Sequence, residues 1–178
     1  MKIKTGIPPP DKAKIVPRVN EEFLNRILKN KLKENIYRNR GYILDGYPRS
    51  YKDAREIFME KKEGEEITEE DKNPEDKMVI LNEILPNNVV SLGEASDEEL
   101  FNRIKSLPEE IVQGSHWNEE GMKRRLQAYQ NTNNSSKSPS LIQFFKKYGV
   151  ENLNLNCKNK EKELVDKLKI FFERVFLN

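Results

Sequence analysis

Glycine, cysteine, histidine and tryptophan are all scarce in this sequence, and each scarcity removes a class of function. Among 178 residues there are eight glycines and one each of cysteine, histidine and tryptophan. Cys157 alone cannot form an intrachain disulfide, and a reducing, cytosolic setting is expected. With His116 also single, zinc sites built from several Cys and His ligands are excluded. No apolar run reaches the roughly 20 residues of a membrane helix, and Met1-Lys2-Ile3-Lys4 does not open a signal peptide, so no membrane partner is expected. Charge of one sign is lacking too. Lysine plus arginine (32) nearly balances aspartate plus glutamate (30), so the surface reads as solvated and no nucleic-acid partner is expected. Finally, there is no glycine-rich loop to wrap a polyphosphate. Gly6-Ile7-Pro8-Pro9-Pro10-Asp11-Lys12 lacks the glycines, and its prolines lack the amide donors such a loop uses.

What is present fits one domain, residues 1–178, with enough chain for a core. After an irregular, proline-interrupted start, a helical period begins near Arg18. Val19, Phe23 and Ile27 fall on one line and Leu24, Leu28 and Leu32 on its neighbour, with Lys29 and Lys33 on the other face. Tyr42-Ile43-Leu44, bounded by glycines, reads as a buried parallel strand. Ser50 and Asp53 predict a capped helix through Met59. Residues 60–77, mostly Glu, Asp and Lys, are expected to be an acidic, mobile insertion. Met78 to Leu85 reads as helical and Asn88 to Gly93 as a second strand, followed by a helix opened by Ser96-Asp97-Glu98-Glu99. A compact, lid-like loop at 107–118 precedes a helix bearing Met122, Leu126 and Tyr129. A short helix from Leu141, a third strand at Asn152–Asn156 and a last helix from about Glu161 complete the chain, the last burying Leu164, Leu168, Phe171, Phe172 and Val175. Strands alternating with helices predict an α/β fold with a parallel sheet.

Chemistry concentrates in Gly41-Tyr42-Ile43-Leu44-Asp45-Gly46-Tyr47-Pro48-Arg49-Ser50. Ligands of parallel α/β sheets bind beyond the carboxyl ends of strands. A carboxylate there, Asp45, suits magnesium held through water. Gly46 permits a sharp turn. The planar fork of Arg49 suits a phosphate. The plainer alternative is a surface ion pair between Asp45 and Arg49.

This run resembles the Gly-[Tyr/Phe]-[Ile/Val]-Leu-Asp-Gly-[Phe/Tyr]-Pro-Arg signature of the adenylate kinase family of nucleoside monophosphate kinases. The likeness extends in register to Lys14-Ile15-Val16, to Asn88–Gly93, to Asp97-Glu98-Glu99-Leu100 and to Met122–Tyr129. Leu107–His116 and the acidic insertion are most similar to the cilia-associated isoform-seven branch. The resemblance implies a P-loop-kinase-type parallel sheet flanked by helices, here partial, with the first strand and phosphate loop absent. It implies the reaction ATP + AMP to 2 ADP, with Mg2+ as cofactor wherever nucleotide binds. Asp45 and Arg125 would be catalytic, with Arg124 as the register alternative for Arg125. Ile15, Val16, Gly46, Tyr47, Arg49 and Asp53 would line the AMP site, Arg103 would pack on ATP, and Asp45 would hold the metal through water.

The pattern also departs from the family. Asp53 stands where the family has the glutamine that reads the adenine of AMP, Leu107 where it has an arginine, and Gly114-Ser115-His116-Trp117 where it has Arg-x-Asp-Asp. A kinase for another nucleoside monophosphate therefore stays open. The first strand is central in the family sheet. Its place is open to Met1–Thr5, to a strand from another polypeptide, or to a longer form of this chain. The combined expectation is a domain inactive by itself, with weakened ATP and AMP binding. It would work with protein partners in a larger cytoplasmic, ciliary or axonemal assembly, with an active kinase completed from elsewhere as the alternative.

Overall fold

The computed structural model describes residues 19–68, 70–93, 95–112, 117–133 and 139–177. Helix α1 (Glu21–Leu32) starts at Asn20, whose side chain accepts the Glu22 amide, and short α2 (Asn35–Arg40) follows it. Helix α3 (Tyr51–Phe58) has the expected capping box: Ser50 accepts the Asp53 amide while the Asp53 carboxylate accepts the Ser50 amide. Strand β1 (Met59–Lys61) runs antiparallel to β2 (Met78–Ile80), with Met59 opposite Ile80 and Lys61 opposite Met78. Strand β3 (Asn88–Gly93) pairs in parallel with β4 (Glu151–Asn156), in register from Asn88 and Glu151 to Gly93 and Asn156. Between them lie α4 (Asp97–Lys105), α5 (Glu109–Val112), α6 (Glu119–Asn133) and α7 (Leu141–Lys147), and α8 (Glu161–Leu177) follows β4. The architecture is α/β, with helices flanking a small parallel sheet. No described helix is long and apolar enough to cross a membrane.

The core forms where α3 and α7 meet. Ala54, Ile57 and Phe58 of α3 recur at helical spacing and are buried, against Phe144 and Phe145 of α7, Leu32 of α1 and Ile84. Phe144 is the hub: its ring lies 5.3 Å from Tyr51, 5.6 Å from Phe145 and 4.9 Å from Tyr148, centroid to centroid. Edge-on and tilted arrangements of this kind match the charge distribution of aromatic rings and add to simple area burial.

Four expectations are corrected. Tyr42-Ile43-Leu44 is extended but not a strand: Tyr42 and Leu44 pack on the core, while Ile43 is 92% exposed. A strand exists only as part of a ladder, and among the described residues none runs beside this segment. Met78–Leu85 is β2 and a turn instead of a helix, because Met78–Ile80 takes up the open edge of β1, and the Leu81 amide then donates to the Phe58 carbonyl at 2.8 Å. Helix α1 buries Asn25 and Leu32, while Val19, Phe23, Leu24 and Ile27 stay exposed. Lys29 turns inward and donates to the Met59 carbonyl, and burial lowers its pKa. Helix α8 buries Phe171, while Phe172 stays exposed.

The acidic segment 62–77 is closed at its base. The Lys62 amide donates to the Lys77 carbonyl at 2.9 Å next to the β1–β2 ladder, and Lys77 pairs with Asp71 at 2.8 Å. A 3-10 turn, Pro74–Lys77, turns Glu75 onto α7, where Lys147 and the Tyr148 hydroxyl donate to its carboxylate. Burial works to raise the Glu75 pKa, but hydrogen bonds from Lys147, Tyr51 and Tyr148 outweigh it, and the net shift is downward from 4.5. A carboxylate with a depressed pKa stabilises the fold above its unfolded pKa and stops doing so as pH falls through the folded value. Glu75→Gln is therefore expected to lower the melting temperature near neutral pH. The gap from wild type should close on acidification below about 4.3, the ordinary glutamate range. Thermal melts across acid pH check this; a gap that stays constant would remove Glu75 as the clamp.

Candidate functional site

The site is built around the turn after Leu44. Gly41 ends α2 at φ 76°, its amide donating to the Tyr37 carbonyl, and Gly46 sits at φ 67°. Both values lie in the left-handed region that favours glycine, so the two glycines bracket an extended run and then reverse it. The Tyr47–Pro48 peptide is cis. Asp45 and Arg49 are both exposed, and no ion pair joins them. Arg49 lies over the Tyr47 ring at 6.0 Å, and its Nε donates to the Gly46 carbonyl at 3.4 Å. Those are loose restraints on an exposed guanidinium whose terminal nitrogens are of the kind that suits an anion.

Beneath the turn lies a buried polar cluster. Asn25 of α1 accepts a hydrogen bond from the Tyr47 hydroxyl. It donates to Asp53 Oδ1 at 3.2 Å and to Glu56 Oε2 at 2.7 Å. The other Asp53 oxygen accepts the Arg49 amide at 3.3 Å and the Ser50 amide at 3.1 Å. Burial first, then the Asp53 and Glu21 carboxylates, push the Tyr47 phenol up to about 12, so it stays a protonated donor. The sequence reading missed Asn25. Its spacing of three and seven residues from Leu28 and Leu32 was the available signal, since that register is the one the helix buries.

Beside this cluster a cleft of about 230 Å³ opens between the start of α1, α3 and the end of α6. Glu21, Glu22, Asp53 and Glu56 line it against the single cation Lys52, which bridges Glu22 at 3.2 Å and Glu56 at 3.5 Å. Four carboxylates and one ammonium make this cleft unfavourable for a phosphate.

The remaining site residues lie on α4 and α6, which pack together. Arg103 on α4 is exposed. On α6, Arg125 donates from Nε to the Gly121 carbonyl at 3.3 Å and lies 5.0 Å from the Trp117 ring. At the end of α6, Asn133 donates to the Arg49 carbonyl at 3.0 Å and accepts the Leu141 amide at 3.0 Å. Eight residues of helix separate Asn133 from Arg125, or about 12 Å. Helix α6 thus links the Arg49 turn to Arg125, whereas Asp45 and Arg49 are close only in the sequence of the motif. Arg124, the register alternative, is exposed. Ile15, Val16, Gly114 and His116 lie outside the described residues.

Among the described residues no three His, Cys, Asp or Glu side chains form a metal cluster. A single exposed carboxylate such as Asp45 suits a magnesium ion that keeps most of its water and takes phosphate oxygens as further ligands. Magnesium bound that way would neutralise phosphate charge.

Comparison with known proteins finds adenylate kinase 7 of Macaca fascicularis, 38% identical over 117 residues, covering 65% of this chain and 21% of that protein. Adenylate kinase 7 of Mus musculus is 35% identical over 117 residues, covering 65% of this chain and 18% of that protein. The chain thus spans only about a fifth of the length of these curated relatives. No family model matches the chain, and no solved structure matches it. Over those 117 residues the chain is similar to adenylate kinase 7, which supports a relationship with the adenylate kinases.

Proposed function

We propose that this chain is an adenylate-kinase-like domain that keeps the monophosphate side of the site and does not transfer phosphoryl groups by itself. It serves as a structural component of a larger protein assembly, in the ciliary or axonemal setting that its sequence resemblance suggests. The observation that carries this reading is the mismatch between the motif and its surroundings. Asp45 and Arg49 stand exposed at the turn, yet the sequence holds no glycine-rich loop for a triphosphate, and among the described residues the motif's own apolar run has no strand beside it. Phosphoryl transfer depends on positioning both phosphates and neutralising the charge that spreads between them. A site with one phosphate grip supplies half of that. The exposed Leu92 (70%) and Val90 on β3 further support docking of protein against this part of the sheet.

A second reading, an active nucleoside monophosphate kinase completed by a loop from another segment or chain, is favoured by the freedom of Asp45 and Arg49 from any mutual ion pair. One assay separates the two. Coupled ADP formation from ATP and AMP is expected to run at background for the purified chain, with or without magnesium. Robust turnover that Arg49→Ala abolishes would overturn the first reading. Turnover that appears only when a longer polypeptide bearing the loop is supplied would establish the second.

A further inference from the structure

Asn25 has a burial and a set of partners that helix packing alone does not require. It is 1% exposed in the middle of α1 and spends its amide on three groups: the Tyr47 hydroxyl, Asp53 and Glu56. Two of these lead directly to the phosphate-grip turn. Tyr47 is the residue whose ring lies under the Arg49 guanidinium, and Asp53 is the residue whose carboxylate receives the Arg49 and Ser50 amides. One buried side chain therefore holds both flanks of the Tyr47-Pro48-Arg49 segment.

The same contacts have a second effect. Asp53 is 5% exposed, and each of its oxygens already accepts hydrogen bonds from protein: Oδ1 from Asn25, and Oδ2 from the two backbone amides. Three of its roughly four acceptor positions are thus taken by protein donors, so turning the carboxylate towards a ligand would leave a buried donor unpaired, which is costly. We propose that Asn25 is a positioning residue for Arg49 that simultaneously withdraws Asp53 from ligand contact, so that the site grips the phosphomonoester of a nucleoside monophosphate without reading the base through residue 53. This rests on the reading that the monophosphate side is retained.

Calorimetric titration of the full chain with AMP, CMP, GMP and inorganic phosphate tests it, alongside Asn25→Ala, Tyr47→Phe, Arg49→Ala and Asp53→Asn. The three nucleotides are expected to bind within about threefold of one another, because discrimination needs a hydrogen-bonding group that the base can pair or leave unpaired. Asn25→Ala should weaken each by the same factor, roughly tenfold, the scale of one lost charge-supporting anchor. In the folded variant the Arg49 Nε–H resonance should also lose the shift that phosphate induces in wild type, a change that a purely structural role would not produce. If Asn25→Ala does not fold, Tyr47→Phe, which removes only the hydroxyl, decides by the same readouts with a smaller, equally base-independent loss. A preference above about tenfold for one base, abolished by Asp53→Asn, would overturn the inference. So would a folded Asn25→Ala or Tyr47→Phe that binds as wild type does. Both results leave the monophosphate reading intact. Failure of the wild-type chain to bind any of the four ligands would overturn that reading and this inference with it.

Discussion

Phe144→Ala is expected to destabilise the chain by about 3–5 kcal/mol, the scale of emptying a buried aromatic site. The ring is fully buried and contacts Tyr51, Phe58, Phe145 and Tyr148, so its loss opens the junction between α3 and α7 instead of trimming an edge. Globular domains carry only about 5–15 kcal/mol in total, so the variant should unfold at a much lower urea concentration than wild type. Urea denaturation followed by circular dichroism checks this, with Phe172→Ala as the comparison. Phe172 is on α8 and exposed, and its truncation should cost well under half as much. Equal midpoints for the two variants would place the core elsewhere.

Asp53→Ala should produce the next largest loss, about 2–4 kcal/mol, although the residue is polar. Two costs add: about 1 kcal/mol for the capping-box acceptor of the Ser50 amide, and about 1–3 kcal/mol for leaving a buried Asn25 donor and the Arg49 amide without their acceptor. Asp53→Asn keeps the size and one acceptor but turns an amide donor towards groups that themselves donate, so it should lie between wild type and Asp53→Ala. Chemical denaturation of the three proteins gives the ordering. A result in which Asp53→Asn is as stable as wild type would mean that the Arg49 and Ser50 amides find acceptors elsewhere.

Parts of this structure were legible from sequence because their causes are local. Ser50 with Asp53 and Ser96 with Glu99 carry both halves of a capping box within four residues, and both helices start there. The strand expected at Asn88–Gly93 is β3, and the one expected at Asn152–Asn156 is β4, where leucine alternates with asparagine. Elements that depend on distant partners were not legible. Tyr42–Leu44 has strand-like residues, but a ladder needs a neighbour that the segment does not itself specify. Met78–Ile80 followed an apolar spacing compatible with helix and became a strand because β1, seventeen or more residues earlier, offered an edge. The buried face of α1 was misplaced because its central residue is polar. Asn25 is buried only because Asp53 and Glu56, 28 and 31 residues later, arrive to satisfy it. For the site, the motif disclosed which residues cluster at the turn. The polar scaffold beneath them, and the Asn133 link from α6, become visible only once the helices are in place.

The closed base of segment 62–77 has a practical consequence. Because β1 and β2 hold the two ends of this segment side by side, lengthening what lies between them adds chain whose ends are already joined. The entropy of such a loop grows only with the logarithm of its length, so doubling it costs about 0.6 kcal/mol. Gly64, at φ 81° with open space where a side chain would stand, lies within that closed segment. A fluorophore-bearing peptide or affinity tag grafted there would leave the aromatic core and the Asn25 scaffold as they are. This acidic stretch is thereby the natural handle by which the domain can be labelled, immobilised or tracked in a cell.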